Sequence, residues 1–241
     1  MRTLLVVDAE GFTRHRDVQL PSIHTEIRRV VETACERSGV AWEAMSLLQS
    51  TGDGLLAILP LDAMIPLIHP FLDHLQNSLA DAAPALRADG VKLRMRVALH
   101  YGLVDDEDPV TAGISTATND VSRLLDSEPL RAALRDSDPD VTFVAAIVSK
   151  NAFDTFVCGG RTVLRPSQFR RVQAKVKQFD QLAYLYVPTP SQREEPEDGG
   201  PGTPAPTPAA GPPLGHVSIV GDGTQNAFGN QVGGDLRQVR P

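Results

Sequence analysis

Two carboxylates and the glycines beside them are the part of this sequence best suited to chemistry. Leu4-Leu5-Val6-Val7 is a short apolar run of the kind that forms a buried strand, and it leads into Asp8-Ala9-Glu10-Gly11-Phe12-Thr13. Gly11 lets the chain turn after the acidic residues. Further on, Gly52-Asp53-Gly54 separates the apolar runs 45–48 and 55–59, a pattern that reads as a hairpin with Asp53 at its tip. If the two strands are neighbours in one sheet, Asp8 and Asp53 face each other. Two carboxylates with no cysteine or histidine beside them suit a hard cation such as Mg²⁺. Taken alone, Asp8 reads as a strand-ending cap and Asp53 as a turn residue. Only the order of elements around them favours a site.

The elements that must position this pair are legible in the periodicities. Ser22 is placed to cap a helix in which Ile23, Ile27, Val30, Val31 and Ala34 recur at three- and four-residue spacing, ending near Gly39. His24 lies beside that stripe and reads as a boundary residue without a role. A second helix is expected over residues 63–79, with Ile65, Ile68, Leu72, Leu75 and Leu79 on one face. Pro66 is tolerated in a first turn, whereas Pro70 calls for a kink or a later start. His69 and His74 are not at ligand spacing. Leu93, Met95, Val97 and Leu99 alternate with Arg94 and Arg96, the pattern of a half-exposed strand that continues into His100-Tyr101-Gly102. The acidic run 105–108 reads as a solvated loop. A helix over 118–125 puts Asn119 and Arg123 on one face, since they are four residues apart. A short helix over 128–134, a β-forming run over 141–148 and a helix capped by Ser149 through Phe156 follow. The last strands are 169–176 and 182–187, with Lys175 and Lys177 at their turn.

Composition sets the bounds. The 241 residues carry a net charge of −7, which argues against a general nucleic-acid binder. Cys35 and Cys158 have no metal-ligand spacing, which fits a reduced, cytoplasmic setting. The first apolar run is too short for a signal peptide, and no apolar stretch is long enough for a membrane span. From 188 to 215 proline, glycine, threonine and alanine dominate, the composition of a disordered linker. Residues 216–241 open with His216-Val217-Ser218-Ile219-Val220 and turn rich in Gly, Asn and Gln. The expected organisation is therefore a domain over 1–187, a linker over 188–215 and a terminal motif over 216–241.

Strand, helix, Asp-bearing hairpin, helix, strand, helix, strand is an α+β, ferredoxin-like βαββαβ order with extra C-terminal strands. In that frame, Asp8-x-x-Gly11-Phe12-Thr13, Gly52-Asp53, His100-x-Gly102 and Asn119-x-x-x-Arg123, with Lys177 near the last strand pair, resemble the class III nucleotidyl cyclase catalytic domain over residues 1–187. The resemblance implies conversion of a nucleoside triphosphate to a 3′,5′-cyclic nucleotide and pyrophosphate with two Mg²⁺ or Mn²⁺ ions. Asp8, Asp53 and the Ala9 carbonyl would be the metal ligands, and the backbone at Gly11, Phe12 and Thr13 would meet the triphosphate. Arg123 would stabilise the α-phosphate charge, Asn119 would orient the ribose and Lys177 would hold the terminal phosphates. It also implies a homodimer in which the carboxylates come from one subunit and the Asn–Arg pair from the other. A non-catalytic, cyclase-like dimerisation or nucleotide-sensing module is the alternative.

The sequence departs from the family at the base-reading positions. Gln49 stands where the family usually has Lys or Glu, Ala112 where it often has Asp or Thr, and Ser115 replaces a glycine ahead of Asn119. A neutral Gln49 reads either base edge, so the base stays open, pyrimidines included. The tail resembles short amyloid-type signalling motifs, through Val217-Ser218-Ile219-Val220-Gly221 and the segments Gly223-Thr224-Gln225-Asn226 and Gly229-Asn230-Gln231-Val232-Gly233. This implies protein partners carrying a like motif, because apolar β-formers with Asn and Gln ladders suit stacked cross-β pairing. A merely sticky end is the competing reading.

Overall fold

β1 (Arg2–Ala9) is buried from Thr3 to Ala9 and pairs on both sides, so its side chains are apolar on both faces rather than alternating. The computed structural model describes residues 1–106 and 111–193, and in it β1 is the centre of the first half of a seven-stranded sheet. α1 (Leu20–Arg37) follows, then the hairpin of β2 (Leu47–Ser50) and β3 (Gly54–Leu59). A single turn, α2 (Met64–Pro66), leads through a π-helical segment, Leu67–Phe71, into α3 (Leu72–Ala88). β4 (Met95–Gly102), α4 (Thr116–Asp126), α5 (Glu128–Arg135) and β5 (Val144–Ser149) come next. α6 (Lys150–Ala152) continues into a π-helical turn, Phe153–Cys158, before the hairpin of β6 (Arg170–Val176) and β7 (Phe179–Tyr186).

The sheet order is β2-β3-β1-β4-β5-β7-β6. Neighbours are antiparallel except β4 and β5, whose parallel pairing needs the crossover through α4 and α5. The first four strands reproduce the expected βαββαβ arrangement, and β5, β6 and β7 are the additions. Each face has its own core. α1 and α3 cover one with Ile27, Val31, Leu72 and Leu75 against Leu5, Val7 and Val97. α4 and α5 cover the other with Val121, Leu124 and Leu130 against Leu4, Val6 and Ile147.

Several boundaries shift for local reasons. α1 starts at Leu20, because Pro21 suits a first turn, and the Ser22 hydroxyl donates to the Gln19 carbonyl (2.8 Å). Pro70 disrupts the second helix as expected: His69 before it is extended (φ −159°, ψ 127°), and α3 then runs nine residues past the expected end at 79, to Ala88. α4 begins two residues early, at Thr116, with Ser115 as its cap: the Ser115 hydroxyl accepts from the Thr118 N–H at 3.1 Å. β5 begins at Val144, and the N–H groups of Phe143 and Val144 both donate to the buried Gln76 Oε1 (2.9 and 3.0 Å). β7 begins three residues early, at Phe179, after a two-residue turn, Lys177-Gln178.

Residues 188–193 are tied to the domain. The Thr142 hydroxyl donates to the Thr189 carbonyl (2.6 Å), and the Arg193 N–H to the Asp136 carbonyl (3.0 Å). The rest of the expected linker, the terminal motif and part of the acidic loop lie outside the described residues. Among the described residues, no helix is long and apolar enough to cross a membrane.

The carboxylate end of the sheet depends on one glycine. Gly54 pairs with Asp8, and a Cβ there would lie 1.9 Å from the Val7 carbonyl oxygen and 2.9 Å from the Asp8 Cα. Gly52, by contrast, has nothing within 4 Å and only its φ of +90° to object to a side chain. Gly54→Ala is expected to cost about 3 kcal/mol or more by overpacking, and Gly52→Ala about 1–2 kcal/mol from backbone strain. Thermal or urea unfolding of the two variants checks this; equal losses contradict the close approach.

Candidate active site

β1 and the β2–β3 hairpin bring Asp8 and Asp53 together. The Ala9 N–H donates to the Asp53 carbonyl at 2.9 Å, which pins the hairpin tip to the end of β1. His24 on α1 braces the same tip: its Nδ1 meets the Gly52 carbonyl at 3.0 Å and its Nε2 the Ser50 hydroxyl at 3.3 Å. That role was invisible in the sequence, because His24 meets the hairpin only after α1 docks. Asp8 is buried, and Asp53 is half-buried. Burial pushes the Asp8 carboxyl up to about 6; Arg96 pulls it down, and the adjacent Asp53 carboxylate pushes it up again.

Arg96 is the residue that sequence reasoning missed. The alternation of β4 placed Arg94 and Arg96 on a solvent face, but Arg94 is 6% exposed, and Arg96 stands directly across the ladder from Asp8. The Arg96 Nη2 donates to the Asp8 Oδ2. The signal available was a pair of arginines in a strand that reads as apolar, close to an unpaired acidic pair.

The donor set fits a hard divalent cation. Among the described residues no group of three or more His, Cys, Asp or Glu side chains is placed to hold a metal ion. Two carboxylates and a backbone carbonyl are the sparse oxygen set that suits Mg²⁺, whose other ligands come from water and phosphate. The repulsion between Asp8 and Asp53, answered by one guanidinium, gives such an ion something to neutralise. Immediately beyond, Gly11 takes φ +68° and a 3₁₀ turn runs over Phe12–Arg14, with Phe12 half-buried and Thr13 exposed.

The remaining expected residues stand elsewhere. A Cβ on Gly102 would lie 2.5 Å from the Ala117 Cβ, so the first turn of α4 rests on the far end of β4. Gly102 pairs with Arg2, whereas Asp8 pairs with Arg96. Six residues of strand separate the two positions, about 20 Å at some 3.3 Å per residue. Asn119 and Arg123 are exposed on α4. The Arg123 guanidinium lies 3.9 Å from the Asp120 carboxylate and 5.9 Å from the centre of the Phe179 ring. Phe179 directly follows the turn that carries Lys177, which is exposed and holds a left-handed φ of +54° where glycine is favoured. Arg123 and the Lys177 turn thus gather around Phe179, away from Asp8 and Asp53.

Gln49 is exposed on the edge strand β2, opposite Leu56. Ala112 is half-buried, and its neighbour Gly113 packs against Leu47, two residues along β2 from Gln49. His100 is buried beneath the α4 end, and burial lowers its pKa against the opposing effects of Asp120 and a hydrogen bond with Asn151.

No protein-family model matches the chain, and no curated protein matches it. Solved structures do. The structure of adenylate cyclases from Trypanosoma brucei in their monomeric state aligns with a TM-score of 0.51 at 16% identity, over 80% of this chain and 91% of that one. The guanylate cyclase domain of RhGC from Catenaria anguillulae, in complex with GTP, aligns with a TM-score of 0.42 at 13% identity, over 80% of this chain and 97% of that one. The fold is that of a class III nucleotidyl cyclase catalytic domain.

The raised Asp8 pKa makes stability depend on pH with a definite sign. An unfolded aspartate titrates near 3.9, so the folded state binds the proton more tightly. The resulting stability is full below about pH 4 and is lost as pH rises through about 6. In EDTA, wild type is expected to lose about 3 kcal/mol more than Asp8→Asn between pH 4 and pH 7.5. Urea unfolding across that range measures the difference, and parallel profiles contradict the assignment.

Proposed function

We propose that this chain is a nucleotidyl cyclase, converting a nucleoside triphosphate to a 3′,5′-cyclic nucleotide and pyrophosphate as a homodimer. The observation that carries the proposal is the separation within one chain. The acidic half-site (Asp8, Asp53) and the cationic half-site (Asn119, Arg123, Lys177) lie at opposite ends of the strands. One chain holds two incomplete halves, and a second copy turned end for end supplies the missing half of each. The cationic end also offers apolar surface for such a partner: Leu103 and Ile114, on either side of the loop before α4, are each 76% exposed.

In this reading Asp8, Asp53 and the Ala9 carbonyl hold Mg²⁺ or Mn²⁺. When bound, these ions supply activation of the ribose 3′ oxygen and neutralisation of the departing pyrophosphate. The turn at Gly11 presents the Phe12 and Thr13 backbone to the triphosphate. Arg96, which donates to Asp8 from the neighbouring strand, would offer its guanidinium to the same anion. From the partner, Arg123 balances charge growing on the α-phosphate, Asn119 holds the ribose and Lys177 the terminal phosphates. The strained backbone at Lys177 fits a residue kept for its charge rather than for its turn. Gln49 and Ala112 face the base; neither carries a charge, so selection rests on the Gln49 amide.

Two further elements complete the proposal. Beyond residues 188–193, which are tied to the domain, the stretch to 215 acts as a linker, and 216–241 as an assembly motif that couples the cyclase to proteins carrying a similar motif. The setting is the cytoplasm, where triphosphates and reduced thiols coexist.

Mixed variants test the shared site. Asp53→Ala and Arg123→Ala are each expected to lower turnover at least a thousandfold. Mixing them under conditions of subunit exchange should restore up to about a quarter of wild-type activity, because half the dimers are mixed and each holds one intact site of two. No recovery despite demonstrated exchange would show that the halves are not shared between chains.

A further inference from the structure

At the carboxylate end of the sheet lies a cleft of about 590 Å³ whose charge runs against that of the protein. The chain as a whole is acidic, at −7. The cleft is lined by seven arginine and lysine side chains and one carboxylate, Glu10. Two of the seven answer to acids on or beside their own helix: Arg131 pairs with Asp126, and Arg135 with Glu128 and Asp136. Arg14, Lys92 and Arg193 have no carboxylate within ion-pair distance among the described residues.

The floor of the cleft is the more telling part. The Arg94 side chain is 7% exposed, and its Nη2 is spent on neutral acceptors, the Leu134 carbonyl and the Ser137 hydroxyl (2.7 Å to the latter). The nearest carboxylate oxygen, on Glu10, is 3.6 Å away. The Nε atoms of Arg94 and Arg96 are buried and have no hydrogen-bond partner among the described residues. A buried guanidinium without a full set of acceptors is costly, and a second one beside it adds repulsion. The positive charge is also held in place: the Arg193 N–H donates to the Asp136 carbonyl, which fixes this residue against the α5 end of the cleft.

We propose that this cleft is a second anion site, which binds a small molecule carrying two or more linked phosphates. Arg94 forms its floor, and Lys92, Arg193 and Arg14 form its rim. It is separate from the carboxylate pair at Asp8 and Asp53, and Arg96 and the Gly11 turn stand between the two. Clustered guanidinium groups match phosphate oxygens in geometry and charge, and the volume of the cleft exceeds the needs of a single phosphate. The site does not depend on cyclase activity. If the cyclase reading also holds, the two sites are coupled through Arg96: an anion that draws Arg96 off Asp8 frees that carboxylate for a divalent cation, and a cation on Asp8 frees Arg96 for the anion.

The test is calorimetric titration of the full chain with inorganic tripolyphosphate in EDTA, so that no metal–phosphate complex contributes. Saturable binding at one anion per chain is expected. Lys92→Ala combined with Arg193→Ala should weaken it at least tenfold, whereas Arg131→Ala should change it less than twofold. Asp53→Ala should not weaken it. Wild type that does not bind, or a double variant that binds like wild type, overturns the proposal. So does an Asp53→Ala loss equal to that of the double variant. The chain's own acids follow Arg193 in sequence, so a fourth variant neutralises Glu194, Glu195, Glu197 and Asp198 as amides. A change of less than twofold supports a free ligand. A tenfold tightening reassigns the cleft to those carboxylates and overturns the proposal.

Discussion

Two carboxylates pressed together at the end of a buried strand repel each other, and much of this domain can be understood from how that repulsion is arranged and answered. The close approach is imposed by backbone: β3 lies so near β1 at Gly54 that no side chain fits there. The hairpin tip is then fastened by the Ala9 N–H and by His24. The answer to the charge comes from β4, where Arg96 faces Asp8 across the ladder. Such an arrangement is stable enough to fold but electrostatically unfinished, since one guanidinium balances two acids in a site that burial makes expensive for either charge. Arg96 thus belongs to two settings at once, bound to an acid on one side and facing a basic cleft on the other.

The strand register then dictates the rest. Because β4 runs antiparallel to β1, the helix that follows β4 starts at the end of the sheet remote from Asp8. Asn119 and Arg123 are carried there by α4, and the β6–β7 turn brings Lys177 to the same region around Phe179. No flexing of side chains spans six residues of strand. A chemistry that needs both sets needs two chains, and Leu103 and Ile114 leave apolar surface exposed at that end.

The fold was largely legible because its signals are local. The helical stripe from Ile23 to Ala34, the Gly52-Asp53-Gly54 turn and the apolar run into Asp8 each declare an element without knowledge of the rest. The pairing of Asp8 with Asp53 followed from the order of those elements. What stayed hidden is what only the assembled sheet creates. Arg94 and Arg96 looked like a solvent face because strand alternation assumes one exposed side, and β4 is covered on both. His24 looked idle because its partners, the Gly52 carbonyl and the Ser50 hydroxyl, belong to a distant turn. The basic cleft draws on β4, the turn after β1, α5 and the segment after β7 at Arg193, and no window of sequence contains it.

The central claim is that the acidic and cationic half-sites of this fold make a working cyclase. Incubating the purified full chain with Mn²⁺ and each of the four ribonucleoside triphosphates in turn, with products identified by mass, tests it most directly. The account predicts a 3′,5′-cyclic nucleotide and an equal amount of pyrophosphate from at least one of them, and no product without the divalent cation. A folded, dimeric protein that forms no cyclic nucleotide from any of the four would contradict it.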